Sequence, residues 1–462
     1  MRLKKFSILM LTGIMSIGSC TGCNKEEKTV LSEIQDVEEK EVVSDNEESQ
    51  VTGDSNEGAN IPELPPIELE NKKIIHFGVG AVDDETSMAK HAKRVFEEAY
   101  GGEVESIVTT YDDFYTQLAT LIAAGTPPDV VTYMGHDWYP LVMTHDLAQE
   151  LDGKIDFDTL LWKDMKESTE SMKWLNGKTY GVTVQEKAVR VIYYNEEMFE
   201  NAGLDTPGDY YERGEWTVDK MVELAEALTL KNQEGEVTQY GLTILGGTPL
   251  FIPIYEEPMI KIENGKFVNN VRSEGVTKSM NLLVDLTSKG VISENYSNFA
   301  DQKTAMMLFH AGGPSSDFLE LTDRGVVGVV PYPKADIDSQ NNVLLETTGY
   351  FIPKGSKNPE GALAFINAAR YTQTEYFKTT DEIYLQSPEA NISEELSEVE
   401  EQLQKLYEEC NKISNSEFKT LIGNLDTGYG QLLHEGKTWS TVVEEVYPRV
   451  EQMVNEYNSA LE

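Results

Sequence analysis

The stretch QLATLIAAGTPPDVV, Gln117 to Val131, decides the fold. Phe114, Leu118, Leu121 and Ile122 stand at i, i+4, i+7 and i+8, which is one face of an amphipathic helix. Gly125 can take the left-handed conformation that ends a helix, and Pro127 and Pro128 forbid its continuation. Asp129-Val130-Val131-Thr132-Tyr133 then has the β-branched run of a strand. A helix, an abrupt stop and a buried strand make one unit of an α/β sheet.

The same alternation extends in both directions. Lys73 to Val79 reads as a first strand, Met88 to Tyr100 as a helix and Glu103 to Val108 as the next strand. Further on, Tyr180–Val184 and Val189–Tyr194 read as two strands, and Val326–Val330 and Tyr350–Ile352 as two more. Helices are expected over 195–202, 218–228, 276–288 and 359–369, and from about Ser440 to Tyr457, where Val442, Val446, Val450 and Met453 share a face. Alternating strands and helices imply a largely parallel, doubly wound sheet.

The chain has 462 residues, enough for two domains. Its 38 Lys and Arg face 80 Asp and Glu, a formal net charge of -42. Such a surface repels nucleic acid and anionic headgroups, so no nucleic-acid partner is expected. Arg2, Lys4 and Lys5 precede an apolar run, Phe6 to Ile17, that is too short for a comfortable membrane span and reads as a secretory signal. It ends in Ile17-Gly18-Ser19-Cys20-Thr21-Gly22-Cys23, which resembles a bacterial lipobox, where the cysteine is lipidated and becomes the mature N-terminus. Cys20 has the aliphatic residue expected three positions earlier; Cys23 has the better preceding glycine. An ordinary secretory signal with incidental cysteines is the alternative. From Glu26 to Glu70 there are fifteen Asp or Glu against two Lys and no aromatic residue, the composition of a disordered tether. Cys410 is the one cysteine beyond this region, so no internal disulfide supports the folded body.

Five further stretches, together with Gln117–Val131, resemble family 1 extracellular solute-binding proteins, in that family's order. They are Asn176–Val182 (NGKTYGV), Tyr193–Leu204 (YYNEEMFENAGL), Trp216–Asp219 (WTVD), Phe299–Met307 (FADQKTAMM, with Gln302 where the family has Gly) and Gly349–Glu360 (GYFIPKGSKNPE). The chain resembles the carbohydrate-binding lipoproteins of ABC importers, of the maltose-binding-protein type. Each stretch also has a local reason. Asn176-Gly177 suits a type I′ turn between strands, Gly203 a helix C-cap, Thr217 an N-cap, and Pro359 a first helical position. The resemblance implies a two-lobed, class II periplasmic-binding-protein-like α/β fold, with a hinge crossed three times, near 185–189, 330–333 and 369. It implies a signal peptide and lipobox over 1–23, a disordered acidic linker over 24–71, an N-lobe of 72–186 plus 332–369 and a C-lobe of 187–331 plus 370–462.

A sugar site needs aromatic platforms and planar polar side chains. The best candidate is the loop after the strand Val130–Tyr133, Met134-Gly135-His136-Asp137-Trp138-Tyr139, which resembles the WAHD loop of maltose-binding members with Met134 in place of the stacking Trp. Asp137 matches their sugar-binding Asp; Trp138, Tyr139 and His136 stand beside it. Asp83 follows the first strand, Gln185 and Glu186 sit at the first crossing, and Phe309 and His310 follow the FADQKTAMM strand. Gly246-Gly247 and Tyr429 are weaker candidates. For Trp138 and Tyr139 the alternative is helix packing beneath the loop, and for Glu186 a solvated turn.

Catalytic signatures are missing: no HExxH, GxSxG or P-loop is present, so no cofactor, metal or ATPase activity is expected. Asp152, Asp156 and Asp158 lack EF-hand spacing and read as a solvated loop. The expected role is a monomeric, lipid-anchored subunit on the outer face of the bacterial membrane. It would bind an oligosaccharide reversibly and pass it to permease subunits driven by a separate ATPase. Other readings keep the fold with a polyamine, peptide or phosphorylated polyol as ligand, or make the chain a surface glycan hydrolase or the partner of a sensor.

Overall fold

The computed structural model describes residues 61–82, 88–110, 113–134, 142–171, 173–244, 251–295, 297–310, 320–322, 324–387, 390, 397–414 and 429–461. The lipobox cysteines, Cys20 and Cys23, and most of the acidic segment lie outside the described residues. So do Asp83, His136, Asp137, Trp138, Tyr139 and Gly246-Gly247.

The opening segment folds as its sequence dictates. Helix α2 spans Phe114–Ala123 and buries Leu118. Gly125 takes φ 74°, and the Thr126 N–H donates back to the Leu121 carbonyl at 3.0 Å. A strand follows at Val130–Met134. The Asp of this motif ties the unit down. One Asp129 carboxylate oxygen accepts from the Ile75 N–H at 2.9 Å, the other from the Ser356 hydroxyl at 3.2 Å. Gly355 takes φ +83°, and a Cβ added there would stand 3.7 Å from the Pro127 ring. The stretches 349–360 and 117–131 therefore touch, through Ser356 on Asp129 and the pairing of Phe351 with Val131.

The strands are β1 (Lys73–Val79), β2 (Glu103–Thr109), β3 (Val130–Met134), β4 (Gly181–Asn195), β5 (Leu230–Lys231), β6 (Val237–Ile244), β7 (Ile260–Glu263), β8 (Lys266–Asn269), β9 (Ile292–Ser293), β10 (Thr304–His310), β11 (Val327–Val330), β12 (Asn342–Phe351) and β13 (Asn411–Ser414). The main sheet runs β2-β1-β3-β12-β4-β10-β6-β5, with β11 on β4, β13 on β12 and β9 on β6. β1 is parallel to β2 and β3, β10 to β6, and the long strands β4 and β12 are antiparallel to each other.

The two strands expected at 180–184 and 189–194 are one 15-residue strand, β4. Its polar middle, Gln185-Glu186-Lys187, interrupts the apolar pattern but not the backbone ladder, because β12 pairs along it from Gly181 to Arg190. Beyond Arg190, β4 pairs with β10 and β11 instead. β4 and β12 thus run from one half of the sheet into the other, side by side.

Burial follows the two halves. On one face of the first half, Ile74, Phe96, Trp162, Ala362 and Phe365 form a cluster under helix α1 (Met88–Tyr100) and the helix Pro359–Tyr371. Its opposite face, with Phe77, Leu118, Val131 and Tyr133, is continuous with the core of the second half. Leu64, Ile67 and Leu69, at the end of the segment read as linker, pack on the first cluster, and the Tyr100 hydroxyl donates to the Pro65 carbonyl at 3.0 Å.

Two connections carry the chain between the halves at positions worth noting. Residues 332–342 bond to the second half: the Lys334 N–H donates to Trp216 O at 2.9 Å, and Asn342 Nδ2 to Pro253 O at 2.7 Å. Phe377, Tyr384 and Ala390 pack on the first half, where Phe377 and Tyr384 sit on His91 and Asp381 pairs with Arg94 at 2.6 Å. The helix Ser397–Glu409 then lies with the second half, its Gln402 accepting from the Val329 N–H at 3.0 Å.

Candidate functional site

The crossing strands bring together the described part of the site. Glu186, in β4, is half-buried, and its carboxylate accepts from the Tyr407 hydroxyl at 3.0 Å. Burial and the facing carboxylate push the Tyr407 phenol up to about 12. The Lys412 ammonium lies 4.1 Å over the Tyr407 ring. Phe309 lies in β10, opposite Val191, and packs into the second half with Met307 and Val329. His310 pairs through its backbone with Arg190, and nothing is described of its side chain. Tyr429 opens a helix, Tyr429–His434, again with only its backbone described. In the 152–158 loop, Asp152 accepts from the Thr179 N–H and Asp156 from the Asp158 N–H, at 3.2 and 3.0 Å.

The sequence reading missed the principal feature here. Beside the crossing, on the α1 face of the sheet, lies a hollow of about 210 Å³. Its floor is His76 and Thr132, from β1 and β3. Gln185 of β4 and Thr348 and Tyr350 of β12 form one wall; Thr372 and Gln373, just past the helix Pro359–Tyr371, form another. Gly80, Ala81, Ala89, Ala92 and Ala369 leave the space open because they carry little or no side chain. No Asp, Glu, Lys or Arg lines it among the described residues.

His76 is 3% exposed. Its Nε2 lies 2.5 Å from Thr132 Oγ1, and its ring packs against Tyr350 and Phe365, with centroids 6.4 and 5.8 Å away. Nδ1 has no hydrogen-bond partner, and neither does Gln373 Oε1. Burial alone lowers the imidazole pKa to about 4, so His76 is neutral at ordinary pH. Gly78 makes the ring's position possible: a Cβ there would stand 3.0 Å from His76 Cε1. A histidine inside KIIHFGV reads as a core residue, and only the packing around it reveals the free nitrogen.

The walls are held firmly. The buried Arg370 guanidinium donates to Leu161 O, Val184 O and Asp164 at 2.8, 3.1 and 2.5 Å, which ties the end of the helix Pro359–Tyr371 to β4. On the other face, Tyr133 and Thr183 hydroxyls meet at 3.3 Å.

A family model described as bacterial extracellular solute-binding protein matches residues 81–371, well over half of the chain. The chain belongs to this family. A binding protein of Brucella abortus (strain 2308) is 26% identical over 309 residues, covering 62% of this chain and 71% of that protein. Among solved structures, an ABC substrate-binding protein of Listeria monocytogenes in complex with cycloalternan aligns with TM-score 0.58 at 15% identity, over 84% of this chain and 100% of that one. The GacH receptor of Streptomyces glaucescens, solved unliganded and with acarbose, gives 0.59 at 16% identity, over 84% and 100%. UgpB of Mycobacterium tuberculosis, in complex with glycerophosphocholine, gives 0.60 at 13% identity, over 83% and 98%. The two-lobed, periplasmic-binding-protein-like α/β fold expected from the six stretches is borne out by these likenesses and by the β2-β1-β3-β12-β4 order of the first half. The family is one of binding proteins, described as extracellular. Among the described residues, no helix is long and apolar enough to cross a membrane.

Proposed function

We propose that this solute-binding protein is the capture subunit of a carbohydrate ABC importer, binding an oligosaccharide reversibly between its lobes without chemical change. The lining of the hollow at the crossing carries this reading. Among the described residues, threonine hydroxyls, glutamine amides and a neutral imidazole line it without a fixed charge, and such groups suit hydroxyls better than ammonium or phosphate groups. The cycloalternan and acarbose complexes of its structural relatives support the same ligand class. We take the lobes as 72–186 with about 346–390, and 187–345 with 397–462; the bonds of Lys334 and Asn342 to the second half and the packing of Phe377, Tyr384 and Ala390 on the first support this division. Asp137, Trp138, Tyr139 and His136, which follow β3 in the sequence, and Asp83, which follows β1, complete the proposed site, with Glu186 at the hinge.

Calorimetry of the full chain against neutral mono- and oligosaccharides tests the assignment, with spermidine, a peptide mixture and glycerol phosphate as counter-ligands. Binding to at least one sugar and to none of the counter-ligands is expected; a panel in which no sugar binds removes it. The UgpB likeness favours a second reading, a glycerophosphodiester ligand, which the counter-ligands extended by glycerophosphocholine would detect. The protein is a monomer held by lipid at the outer membrane face, and it delivers ligand to a permease powered by a separate ATPase. Cys20→Ala is expected to release it from the membrane fraction of the producing bacterium while Cys23→Ala leaves it bound. The reverse pattern would move the lipid to Cys23.

A further inference from the structure

We propose that the hollow beside His76 is a ligand subsite that takes one uncharged, hydroxyl-bearing ring of the captured carbohydrate, with His76 Nδ1 and Gln373 Oε1 as its hydrogen-bonding contacts. This rests on the carbohydrate reading and narrows it to named atoms.

Two buried polar atoms without partners, His76 Nδ1 and Gln373 Oε1, line one hollow. Folded proteins leave few such atoms unsatisfied, and those they leave tend to be functional or to bond something bound there. At about 210 Å³ the hollow has the volume of about seven waters, which matches a single sugar ring and is too small for two. Its position is the one where open α/β sheets take ligands, beside the C-terminal end of β1. Gln185 and Thr348, from the two crossing strands, form part of its wall, so an occupant touches the connection between the lobes.

The chemistry selects a hydroxyl. If His76 Nε2–H donates to Thr132, Nδ1 is an acceptor; if Thr132 donates to Nε2, Nδ1 carries the proton. A hydroxyl can both give and take a hydrogen bond, so it fits either tautomer and also donates to the Gln373 carbonyl oxygen. An ammonium could meet only one tautomer, and a phosphate dianion would find no cation among the described residues that line the hollow. The low imidazole pKa set by burial keeps the His76 ring neutral across the physiological range.

The test uses the full chain and the tightest-binding sugar from the panel. Gln373→Leu removes the acceptor at similar volume, and Ala89→Leu projects a larger side chain into the hollow from α1. Each is expected to raise Kd about tenfold or more, the loss of one good hydrogen bond or of the space for a ring. Saturation with sugar is expected to shift the ¹⁵N resonances of the His76 imidazole in the unaltered protein, a readout that needs no variant to fold. If sugar binds, both variants fold with unchanged Kd and the resonances stay in place, the hollow holds water only; the subsite is then wrong while the carbohydrate reading stands. If no sugar binds, both fall.

Discussion

At the N-terminal end of β1 the polar groups are closely partnered, and toward its C-terminal end they are not. The Ile75 N–H meets Asp129, Asp129 also holds Ser356, and Asn358 donates to Asn71 O and Lys73 O at 3.3 and 3.1 Å while accepting from the Gly361 N–H. One residue after Ile75, His76 presents an unpartnered nitrogen to a hollow lined by small residues. The first arrangement straps a strand to a helix start and a turn, and its requirements are strict enough to leave recurring words in the sequence. The second leaves a place for something else, and its requirements depend on what is bound. Scaffold and specificity are therefore separated along a single seven-residue strand.

The pH dependence of stability probes the C-terminal end most strongly. His76 has a folded pKa of about 4 against 6.5 unfolded. Above pH 6.5 the ring is neutral in both states. As pH falls from 6.5 towards 4 the unfolded chain takes up a proton that the folded chain refuses, so stability declines, and the decline ends below about 4. The full loss is on the order of 3 kcal/mol. Carboxylates titrate over part of the same range, so urea unfolding of the parent and of His76→Phe should be compared between pH 7.5 and 4. The parent is expected to lose more stability than the variant on acidification; parallel curves would show that the ring is solvated and the contrast with the strapped end is overstated.

The strapped end gives the next largest effect. Burial pushes the Asp129 carboxyl above its usual range, while bonds from Ile75 and Ser356 favour the ion. Asp129→Ala removes both acceptors and leaves the Ile75 N–H without its partner. A loss of about 2 kcal/mol in unfolding free energy is expected, with the sugar Kd unchanged in the folded protein. A large change in Kd at unchanged stability would place Asp129 in the site and erase the distinction.

The same distinction explains what the sequence disclosed. The helix α2, its Gly125 stop and β3 were legible because periodicity, a left-handed residue and a β-branched run are local properties. The unity of β4 was not, since its polar centre stays extended only through pairing with β12, which lies far away in the chain. Asn-Gly dipeptides show how pairing decides. Asn176-Gly177 reads as a type I′ turn between strands, yet Asn176 is not at positive φ and the turn leads from a helical segment into β4. Asn264-Gly265, at φ 52° and 73°, joins β7 to β8 as the two-residue hairpin that this dipeptide favours. Of the candidate site, Glu186 lies on the crossing strand, Phe309 packs partly buried against the second half, and His76 gave no sign, because an unpartnered nitrogen has no sequence pattern.

Gln302 offers the finest test of whether a recurring word records geometry. It stands where the family has glycine, and it keeps the conformation glycine would take, φ 56°, at an exposed turn closed by its own N–H to Phe299 O at 3.0 Å. A left-handed conformation costs a residue with a Cβ about 1–2 kcal/mol, whereas glycine loses more backbone entropy on folding, by about 0.4–1 kcal/mol. The difference favours glycine, so Gln302→Gly is expected to raise the unfolding free energy by about 0.5–1 kcal/mol in urea, with ligand affinity unchanged. Gln302→Val, β-branched at the same φ, should move stability the other way. If glycine gave no gain while valine cost nothing, the φ at 302 would not be what the family's glycine preserves, and the strapped regions of this fold would be less rigidly specified than the bonds around Asp129 imply.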